Sequence, residues 1–471
     1  MSYNIDAIVL AAGSGSRLEP LTLREKGSIR TKGLVSICGQ RPMSVIFGAL
    51  YKMGLDQSDQ IVIVAKEGYN RNRIMSEYEQ RRTLEGIPLR MSWPTDDTEN
   101  VGSADATLEN MEQFEIKKDV LVCPNDCFVN GMSLVDIIKE NKEKGAIATM
   151  AVYEVSAEEA AEKYGVLITD QDGTITKFME KPTLEKMKSE FNIPDIAEAK
   201  EKKVFVNTGF YYLSNDILKL KDDEEIKEMR DSKKEGELDF GKHFFPWLVK
   251  NGYKVNTSKV RDFYDMGNIK SYMSTSLEII KGNVEWIDYL KYLNKDFNDT
   301  LSFDVEKNIY ISKSTLDMKI KINGKSFPTL RESIEKGYVS INKNVLISDD
   351  VRILPGTSLE NCFIGVLATI GENCSIKGTN SFASTIYKAS IIGMDTEIVD
   401  SIICTSAKVN PQNLTSKDSS KNKKTNIITS VVGDASLVNE GARIVNSKLY
   451  PNSFADVGIE IKDNNKYRNT K

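Results

Sequence analysis

One loop near the start of the sequence has residue types that suit phosphate binding. An apolar stretch over 5–10 ends in small residues that include Ala11, Ala12, Gly13 and Gly15. Glycine permits turns that other residues avoid, and small side chains leave backbone N–H groups accessible to phosphate oxygens. The guanidinium of Arg17 suits bidentate phosphate contacts, and Lys32 adds a mobile positive charge. The pattern predicts a site that holds a triphosphate against another phosphate.

The loop alone is ambiguous, because a glycine-rich connection with a surface arginine would look the same. It matches neither common phosphate-binding loop. Leu18 stands where the dinucleotide fingerprint has a third glycine, and the Gly-Lys-Ser/Thr of the NTPase loop is absent. Its function therefore depends on the residues that accompany it.

Two aspartates have surroundings that suit a metal ion. Asp126 follows the apolar run 120–122, and Asp265 lies between aromatic residues and a glycine. Mg²⁺ prefers one or two carboxylates together with phosphate oxygens. Each aspartate could instead be a turn residue, and the pair becomes a metal site only if the fold brings the two together.

Further polar residues follow a predicted β-hairpin. The Asp-Gly pair at 172–173 lies between alternating apolar residues, and Glu180 and Lys181 follow the second strand. The carboxylate could accept hydrogen bonds from sugar hydroxyls and the ammonium could hold a phosphate, or the two could form a solvated ion pair. Upstream, Gly102 and Asp105 begin a helix that could face a nucleotide or be an ordinary capped helix.

An α/β fold is expected to position these residues. Strand-like runs over 5–10, 61–64, 120–122 and 146–150 alternate with helical patterns near 43–54, 70–83, 104–112 and 132–143. This alternation predicts βαβ units and a mixed, mostly parallel sheet, with ligands at the carboxyl ends of its strands. Residues 183–203 are interpreted as a peripheral insertion, and 205–213 as a further strand.

The last third of the chain has a different period. Apolar residues recur every six positions, at Ile341, Ile347, Ile353 and Leu359, and in shifted frames from Ile364 and Ile386. A six-residue apolar period predicts a left-handed parallel β-helix. The lysine- and serine-rich stretch 414–424 is expected to interrupt it as a mobile loop. Residues 276–335, starting with a helix over 277–293, are expected to connect the two parts.

Composition limits the classes of function. The 471 residues are 40% hydrophobic and 28% charged, as in a packed protein, and the net charge of -5 without a long basic block disfavours nucleic acid as a partner. No apolar run approaches the ~18 residues that cross a membrane, so a cytoplasmic protein is expected. The six scattered cysteines predict reduced, buried thiols, and the single histidine, His243, excludes multi-histidine metal centres.

The order of the motifs resembles that of the sugar-1-phosphate nucleotidyltransferases over residues 5–275. The resemblance rests on Ala-Ala-Gly-Ser-Gly-Ser-Arg-Leu from position 11, Lys32, Asn-Asp126, Tyr-Gly165-Val, Glu180-Lys-Pro, Asn207-Thr-Gly and Tyr-Asp265-Met-Gly. Gly102-Ser-Ala-Asp-Ala, Asp239-Phe-Gly-Lys and the layout around 39–41 are similar to the glucose-1-phosphate adenylyltransferases (ADP-glucose pyrophosphorylases) within that family.

The resemblance implies a Rossmann-like catalytic domain over 1–275, a connecting region over 276–335 and the β-helix over 336–471. It implies the reaction of a nucleoside triphosphate with a sugar 1-phosphate to give a nucleoside diphosphate sugar and pyrophosphate. ATP and glucose 1-phosphate are the favoured substrates, which would support glycogen synthesis. The chain is expected to form a homo-oligomer, a dimer or tetramer, through its C-terminal domain.

The resemblance also assigns roles to residues. Arg17 and Lys32 would stabilise the phosphates, and Asp126 and Asp265 would bind Mg²⁺. The nucleotide would contact Ala11, Ala12, Gly13, Gly15, Gly102 and Asp105, and the sugar phosphate would contact Gly165, Glu180, Lys181 and Asn207. Some positions depart from the family pattern: Thr31 and Gly33 flank Lys32, where the family usually has proline beside the lysine. Ala11-Ala12-Gly13 also occurs in uridylyl-transferring relatives, so a uridylyl- or guanylyltransferase, or a silent regulatory paralogue, stays an alternative.

Overall fold

The computed structural model describes residues 3–13, 15–23, 30–65, 69–78, 83–84, 86–92, 102–129, 131–193, 195–231, 238–284, 300–415 and 423–469. The chain divides into two compact units. The sheet unit consists of Met1–Gly13 and Ile46–Tyr264, and the solenoid unit consists of Ser14–Val45 and Asp265–Lys471. The segment that contains Arg17 and Lys32 therefore belongs to the solenoid unit. The three regions predicted from sequence stay a prediction.

The described part of residues 3–284 contains short strands and helices in alternation. The strands are β1 Ile5–Leu10, β2 Ile61–Val64, β3 Thr83–Leu84, β4 Ile87–Met91, β5 Asp119–Pro124, β6 Cys127–Phe128, β7 Ala148–Ser156, β8 Val166–Thr169, β9 Ile175–Met179, β10 Lys203–Leu213, β11 Val255–Lys259 and β12 Tyr264–Asp265. The helices are α1 Pro42–Met53, α2 Tyr69–Tyr78, α3 Ser103–Gln113, α4 Gly131–Lys144, α5 Ala157–Ala160, α6 Leu184–Glu190, α7 Ile196–Glu201, α8 Glu224–Asp231, α9 Phe245–Lys250 and α10 Ile269–Ile280.

A mixed, mostly parallel sheet organises the sheet unit, as the alternation predicts. Its strand order is β11-β7-β10-β5-β1-β2-β4-β3, and the β8–β9 hairpin attaches to β10. Strand β1 pairs in parallel with β2 and β5, whereas β10 runs antiparallel to β5 and β7. Strands β1 and β2 are buried throughout or nearly so, which explains their continuous apolar runs. The carboxyl ends of β1 and β5 are therefore neighbours.

The remaining residues, 300–469, contain strands β13 Thr300–Asp304, β14 Ile309–Ser312, β15 Ile320–Ile322, β16 Lys325–Phe327, β17 Ser340–Ile341, β18 Val345–Ile347, β19 Arg352–Ile353, β20 Ser358–Glu360, β21 Cys362–Ile364, β22 Thr369–Ile370, β23 Ser375–Lys377, β24 Ser384–Ile386, β25 Ile391–Ile392, β26 Thr396–Val399, β27 Ile402–Ile403, β28 Lys408–Val409, β29 Thr425–Ile428, β30 Val431–Val432, β31 Leu437–Val438, β32 Arg443–Val445, β33 Lys448–Leu449, β34 Phe454–Ala455 and β35 Glu460–Lys462. Two short helices, α11 Lys313–Leu316 and α12 Leu330–Glu335, precede the first repeats.

The C-terminal strands form the predicted left-handed parallel β-helix. They stack into three sheets, and successive coils pair in parallel, for example Ile347 with Ile364 and Ile364 with Ile386. The hexad residues Ile353, Leu359, Ile370, Ile376, Ile392 and Ile398 are all at most 1% exposed. One apolar side chain per short strand thus fills the interior of the solenoid.

Three boundaries differ from the sequence predictions for local reasons. The helix expected over 277–293 is α10, which starts at Ile269 because Asn268 caps it, its side chain accepting the N–H of Ser271 at 3.0 Å. It ends at Ile280, before Gly282 with φ 79°, and residues 285–293 lie outside the described part. The helix expected to reach position 83 is described as far as Tyr78, residues 79–82 lie outside the described part, and Thr83 lies in β3.

The connecting region also contributes to the solenoid, since β14 pairs in parallel with β18 and so begins the stack. The interruption predicted over 414–424 falls largely on 416–422, outside the described residues, and the repeat resumes at β29.

All six cysteines lie in described residues and are buried, without a disulfide among them. In the part of the chain that the structure describes, no helix combines the length and the apolar character required to span a membrane.

Candidate active site

The carboxylate of Glu180 lies against two glycines. Glu180 follows β9, Gly165 precedes β8, and Gly241 lies in a π-helical turn over Phe240–Phe244. A Cβ at Gly165 would come within 3.1 Å of Oε2 of Glu180, and a Cβ at Gly241 would come within 2.6 Å of the same oxygen. A Cβ at either position would therefore displace this carboxylate, and at Gly165 it would also lie 2.7 Å from Cζ of Phe178.

Lys181 places a positive charge beside Glu180. Its Nζ is 3.1 Å from Oε1 of Glu180, and the Lys181 and Glu180 side chains are 45% and 22% exposed. The backbone of Lys181 has φ 43°, in the left-handed region that non-glycine residues rarely adopt. Such an exposed pair contributes little to stability. Its ammonium can therefore turn towards an incoming phosphate at little cost.

Asn207, on strand β10, contacts Gly165 and so joins the residues around Glu180. Its N–H donates to the carbonyl of Gly165 at 2.9 Å, and its side chain donates to the hydroxyl of Tyr211 and accepts the N–H of Gly209, at 2.9 and 2.8 Å. The register of β10 shifts between Asn207 and Tyr211. Burial, with smaller effects from the carboxylates of Asp239 and Glu180, raises the pKa of Tyr211, so its hydroxyl stays neutral. The four residues predicted for the sugar phosphate thus converge.

Asp239 anchors the turn that contains Gly241. Its Oδ1 accepts the N–H groups of Gly241 and Lys242 at 2.9 and 3.1 Å, and its Oδ2 accepts the hydroxyl of Ser103 at 2.9 Å. The same hydroxyl oxygen accepts the N–H of Phe240 at 3.0 Å. These bonds join the start of α3 to the π-helical turn, whose Gly241 lies against the carboxylate of Glu180.

Gly102 and Asp105 hold the start of α3 against Leu238. The N–H of Leu238 donates to Oδ2 of Asp105 at 3.0 Å, and the carbonyl of Leu238 accepts the N–H of Ala104 at 2.9 Å. A Cβ at Gly102 would lie 2.3 Å from the carbonyl carbon of Leu238. Both residues therefore have a structural role, and their contact with a nucleotide stays a prediction. Residues 99–101 lie outside the described part.

The small-residue loop begins where β1 ends. The N–H of Ala11 donates to the carbonyl of Val64 at 2.7 Å, and burial decreases from Ala11 through Ala12 to the exposed Gly13. A Cβ at Gly13 would meet no atom of the described residues within 4 Å. The loop thus leaves its backbone accessible, as phosphate binding requires.

Asp126 lies at the same edge of the sheet. It follows β5, whose residue Pro124 pairs with Leu10 at the end of β1. Asp126 is half-buried, and the thiol of Cys127 is 3.7 Å from its Oδ1. Because ligands of such sheets bind at the carboxyl ends of the strands, Asp126 and the small-residue loop share the expected position for a phosphate and its counter-ion.

The solenoid unit brings Lys32 beside Gly15. Gly15 has φ 69°, and a Cβ there would lie 2.9 Å from Cγ2 of Thr22 and 3.3 Å from Cγ of Lys32. The hydroxyl of Thr22 donates to the carbonyl of Gly15 at 3.1 Å. Arg17 lies between Gly15 and Thr22 in the sequence and is exposed on a 3₁₀ turn over Ser16–Leu18. One compact segment therefore presents the guanidinium and the ammonium predicted to bind phosphates.

Asp265, the second predicted metal ligand, also belongs to the solenoid unit. Its half-buried carboxylate accepts the N–H of Gly267 at 2.7 Å, and its carbonyl accepts the hydroxyl of Thr275 at 2.8 Å. Among the described residues, no cluster of three or more His, Cys, Asp or Glu side chains has the arrangement of a metal site. The pairing of Asp126 with Asp265 stays a prediction.

Comparison with known protein families identifies the family of this chain. Residues 6–282 match the model of the family described as "Nucleotidyl transferase". The chain belongs to this family. The prediction of a nucleotidyltransferase is thereby confirmed.

Relatives of this nucleotidyl transferase include both adenylyl- and uridylyltransferases. The chain is 23% identical to a glucose-1-phosphate adenylyltransferase of Fervidobacterium nodosum over 422 residues, 86% of this chain and 94% of the relative. It is 26% identical to a UTP–glucose-1-phosphate uridylyltransferase of Synechocystis over 373 residues, 75% of this chain and 85% of the relative. A uridylyltransferase of Haloferax volcanii is 32% identical over 38% of this chain and 65% of its own length.

Sequence reasoning missed several residues that shape the site of this nucleotidyl transferase. Ser103, Tyr211 and Gly241 had no assigned role, although Ser103 and Gly241 lie within motifs that support the family resemblance. Ser103 and Gly241 contact residues far away in the sequence, Ser103 with Asp239 and Gly241 with Glu180. A local pattern could have identified only Asp239, as a residue capping the helix that follows it.

Proposed function

We propose that this protein transfers a nucleotidyl group from a nucleoside triphosphate to a sugar 1-phosphate and releases pyrophosphate. The observation that supports this most is the convergence of Glu180, Lys181 and Asn207 in a member of the nucleotidyl transferase family. A carboxylate and an amide suit sugar hydroxyls, and an exposed ammonium suits the attached phosphate.

The proposed reaction is an in-line displacement. An oxygen of the sugar phosphate attacks the α-phosphorus, the new P–O bond forms, and the bond to the bridging oxygen of the β-phosphate breaks with its electron pair on pyrophosphate. Catalysis then depends on positioning and on neutralising charge. Arg17 would stabilise the β- and γ-phosphates and the leaving pyrophosphate. Lys32 would hold phosphate in the transition state, and Lys181 would hold the phosphate of the sugar.

Mg²⁺ is part of this proposal, with Asp126 and Asp265 as its ligands. Both carboxylates are half-buried and supply the hard oxygen donors that this ion prefers. When bound, the ion would neutralise phosphate charge.

We further propose ATP and glucose 1-phosphate as the substrates, and a role in glycogen synthesis. The adenylyltransferase of Fervidobacterium nodosum matches over nearly its whole length, which supports this choice. UTP is the second candidate, favoured by the Synechocystis relative and by Ala11-Ala12-Gly13. A regulatory paralogue is disfavoured because Arg17, Lys32, Asp126 and Asp265 are all present. A cytoplasmic homo-oligomer, assembled through the solenoid, completes the proposal.

Pyrophosphate release from the purified protein tests the proposal. ATP, UTP, GTP, CTP and dTTP are scanned with Mg²⁺ against the 1-phosphates of glucose, mannose, galactose and N-acetylglucosamine. A single strong response with ATP and glucose 1-phosphate is expected. A strong response with another pair of substrates would support the proposed reaction but overturn the proposed substrates. Asp126→Asn should abolish turnover, whereas the matched variant Asp172→Asn, in an exposed turn, should retain it. No release from folded protein across the whole set would overturn the proposal.

A further inference from the structure

The segment that contains Arg17 is anchored to the last coils of the β-helix. The hydroxyl of Tyr450, which follows β33, donates to the carboxylate of Glu19 at 2.9 Å. Glu19 comes directly after the 3₁₀ turn that presents Arg17, and its N–H donates to the carbonyl of Ser16 at 3.1 Å, which closes that turn. Both partners belong to the solenoid unit. One hydrogen bond from the end of the solenoid thus reaches within two residues of Arg17.

Tyr450 is itself firmly held. It is 3% exposed, and its carbonyl accepts the hydroxyl of Ser436 at 3.0 Å. Its N–H donates to the carbonyl of Tyr467 at 3.0 Å, and the guanidinium of Arg468 lies 4.5 Å from its ring centroid. Burial, followed by the hydrogen bond to Glu19, raises the pKa of Tyr450 to about 12, so its hydroxyl is a donor at every physiological pH. Ser436, Tyr467 and Arg468 therefore hold Tyr450 in place, and its hydroxyl in turn holds Glu19.

A second contact, an ion pair, holds the other end of the same segment. Nη2 of Arg30 is 3.6 Å from Oδ2 of Asp434, with side chains only 17% and 20% exposed. The N–H of Arg30 donates to the carbonyl of Thr22 at 2.6 Å, and the hydroxyl of Thr22 donates to the carbonyl of Gly15. Asp434 and Tyr450 lie in successive coils, so the solenoid contacts the segment on both sides of residues 24–29, which lie outside the described part.

Further along the chain, the carbonyl of Ser36 accepts hydrogen bonds from two tyrosines. The hydroxyl of Tyr272, on α10, donates at 2.7 Å, and the hydroxyl of Tyr387, in the solenoid, also donates. Tyr272 is fully buried and Tyr387 is 6% exposed, which shields these bonds from water. Residues 30–36, which include Lys32, are thereby held as well.

We propose that Tyr450 is a positioning residue for the nucleotidyl transfer, which it serves by fixing Glu19 and, through it, the turn that presents Arg17. The inference rests on the proposed function, in which Arg17 stabilises the phosphates of the nucleotide. Charge stabilisation is strongest when the charged group is already in place, because no free energy is then spent on ordering it during the reaction. Arg17 is exposed on a single turn, so an external anchor is what gives it a fixed place.

Tyr450→Phe tests this directly, because it removes one hydroxyl and keeps the buried ring. The loss of one hydrogen bond that acts on Arg17 only through Glu19 should lower kcat for pyrophosphate release about 5- to 10-fold. The KM for the sugar 1-phosphate should stay within about 2-fold of the wild-type value, because Glu180 and Lys181 lie in the sheet unit. Tyr467→Phe is the matched control. It removes a hydroxyl from the same end of the solenoid that donates to the carbonyl of Phe454 at 3.2 Å, and it should leave kcat unchanged.

Changes at Glu19 separate positioning from a general loss of structure. Glu19→Gln keeps an oxygen that accepts the Tyr450 hydroxyl and should retain at least about half of the wild-type kcat, whereas Glu19→Ala should match Tyr450→Phe. The double variant Glu19→Ala/Tyr450→Phe should be no worse than either single variant, because both remove the same bond. Wild-type kcat in Tyr450→Phe, an equal loss in Tyr467→Phe, or additive losses in the double variant would overturn the inference.

Amide hydrogen exchange gives a readout that does not depend on turnover. The N–H groups of Leu18, Leu21 and Leu23 are hydrogen-bonded within the segment. They should exchange about 5-fold faster in Tyr450→Phe, with no change in Tyr467→Phe. If the wild-type protein releases no pyrophosphate, the proposed function fails, and unchanged exchange at these amides would separately overturn the anchoring by Tyr450.

Discussion

Replacing Gly241 with alanine should weaken the binding of the sugar 1-phosphate while the fold stays intact. The added Cβ would lie 2.6 Å from Oε2 of Glu180, so this oxygen must move by about 0.8 Å to reach ordinary contact at 3.4 Å. Cδ of Glu180 would lie at 3.3 Å, and the nearest atom outside Glu180 is Cζ of Phe178 at 3.5 Å, which needs no movement. A shift of that size breaks a hydrogen bond of normal length. Since a hydrogen bond to a charged group contributes about 1.5–3 kcal/mol, KM for the sugar 1-phosphate should rise about 10- to 150-fold.

Steady-state kinetics of pyrophosphate release, with thermal unfolding as the control, measures this effect. Because Gly241→Ala acts by displacing the Glu180 carboxylate, it should add nothing in a Glu180→Ala background. Additive effects of the two changes on KM would refute the reasoning, since they would show that Gly241 acts independently of Glu180. A fall of more than a few degrees in the unfolding midpoint of Gly241→Ala would also refute it.

Three further changes test the packing and the charges. Gly102→Ala places a Cβ 2.3 Å from the Leu238 backbone, which cannot move as a side chain can, and should lower the free energy of unfolding by about 3 kcal/mol in urea titrations. Ile376→Ala, at a fully buried hexad position, should cost about 3 kcal/mol in the same assay, and a loss below about 1 kcal/mol would contradict close packing of the solenoid. The hydrogen bond from Lys424 holds the pKa of Glu397 below its ordinary value of 4.5, so this carboxylate stabilises the fold at neutral pH and loses that effect in acid. Glu397→Gln should therefore lower the unfolding midpoint at pH 7, and the difference from wild type should vanish as the pH falls below 4.5; a difference that persists would contradict the ion pair.

The sequence predicted the elements whose patterns are local. The six-residue period located the side chains that fill the solenoid, such as Ile353 and Ile370, because each coil repeats the same short geometry. The Asp-Gly pair at 172–173 marked the β8–β9 hairpin, and Gly173 has the expected positive φ of 79°. The position of Glu180 at the end of that hairpin followed from the same signal.

Features that depend on distant contacts were not predictable. The pattern of apolar residues cannot show that Glu180 lies against Gly241, because those residues meet only after β8, β9 and the π-helical turn have packed. Nor does any signal near Arg17 indicate that Ser14–Val45 belongs with the solenoid. The boundaries of α10 were missed for a simpler reason: Asn268 and Gly282 fix its ends, and the apolar period alone continued past them.

The anchoring of the Arg17 segment has a consequence for synthesis of the protein. Glu19 and Tyr450 are 431 positions apart, so residue 19 leaves the ribosome long before its partner exists. Domains generally fold in the order in which they are made. The sheet can form early, but the turn that presents Arg17 acquires its fixed place only when the last coils have been translated. A nascent chain that binds nucleotide and sugar phosphate would therefore gain its full rate only after Tyr450 has been made, so translation itself would time the onset of turnover.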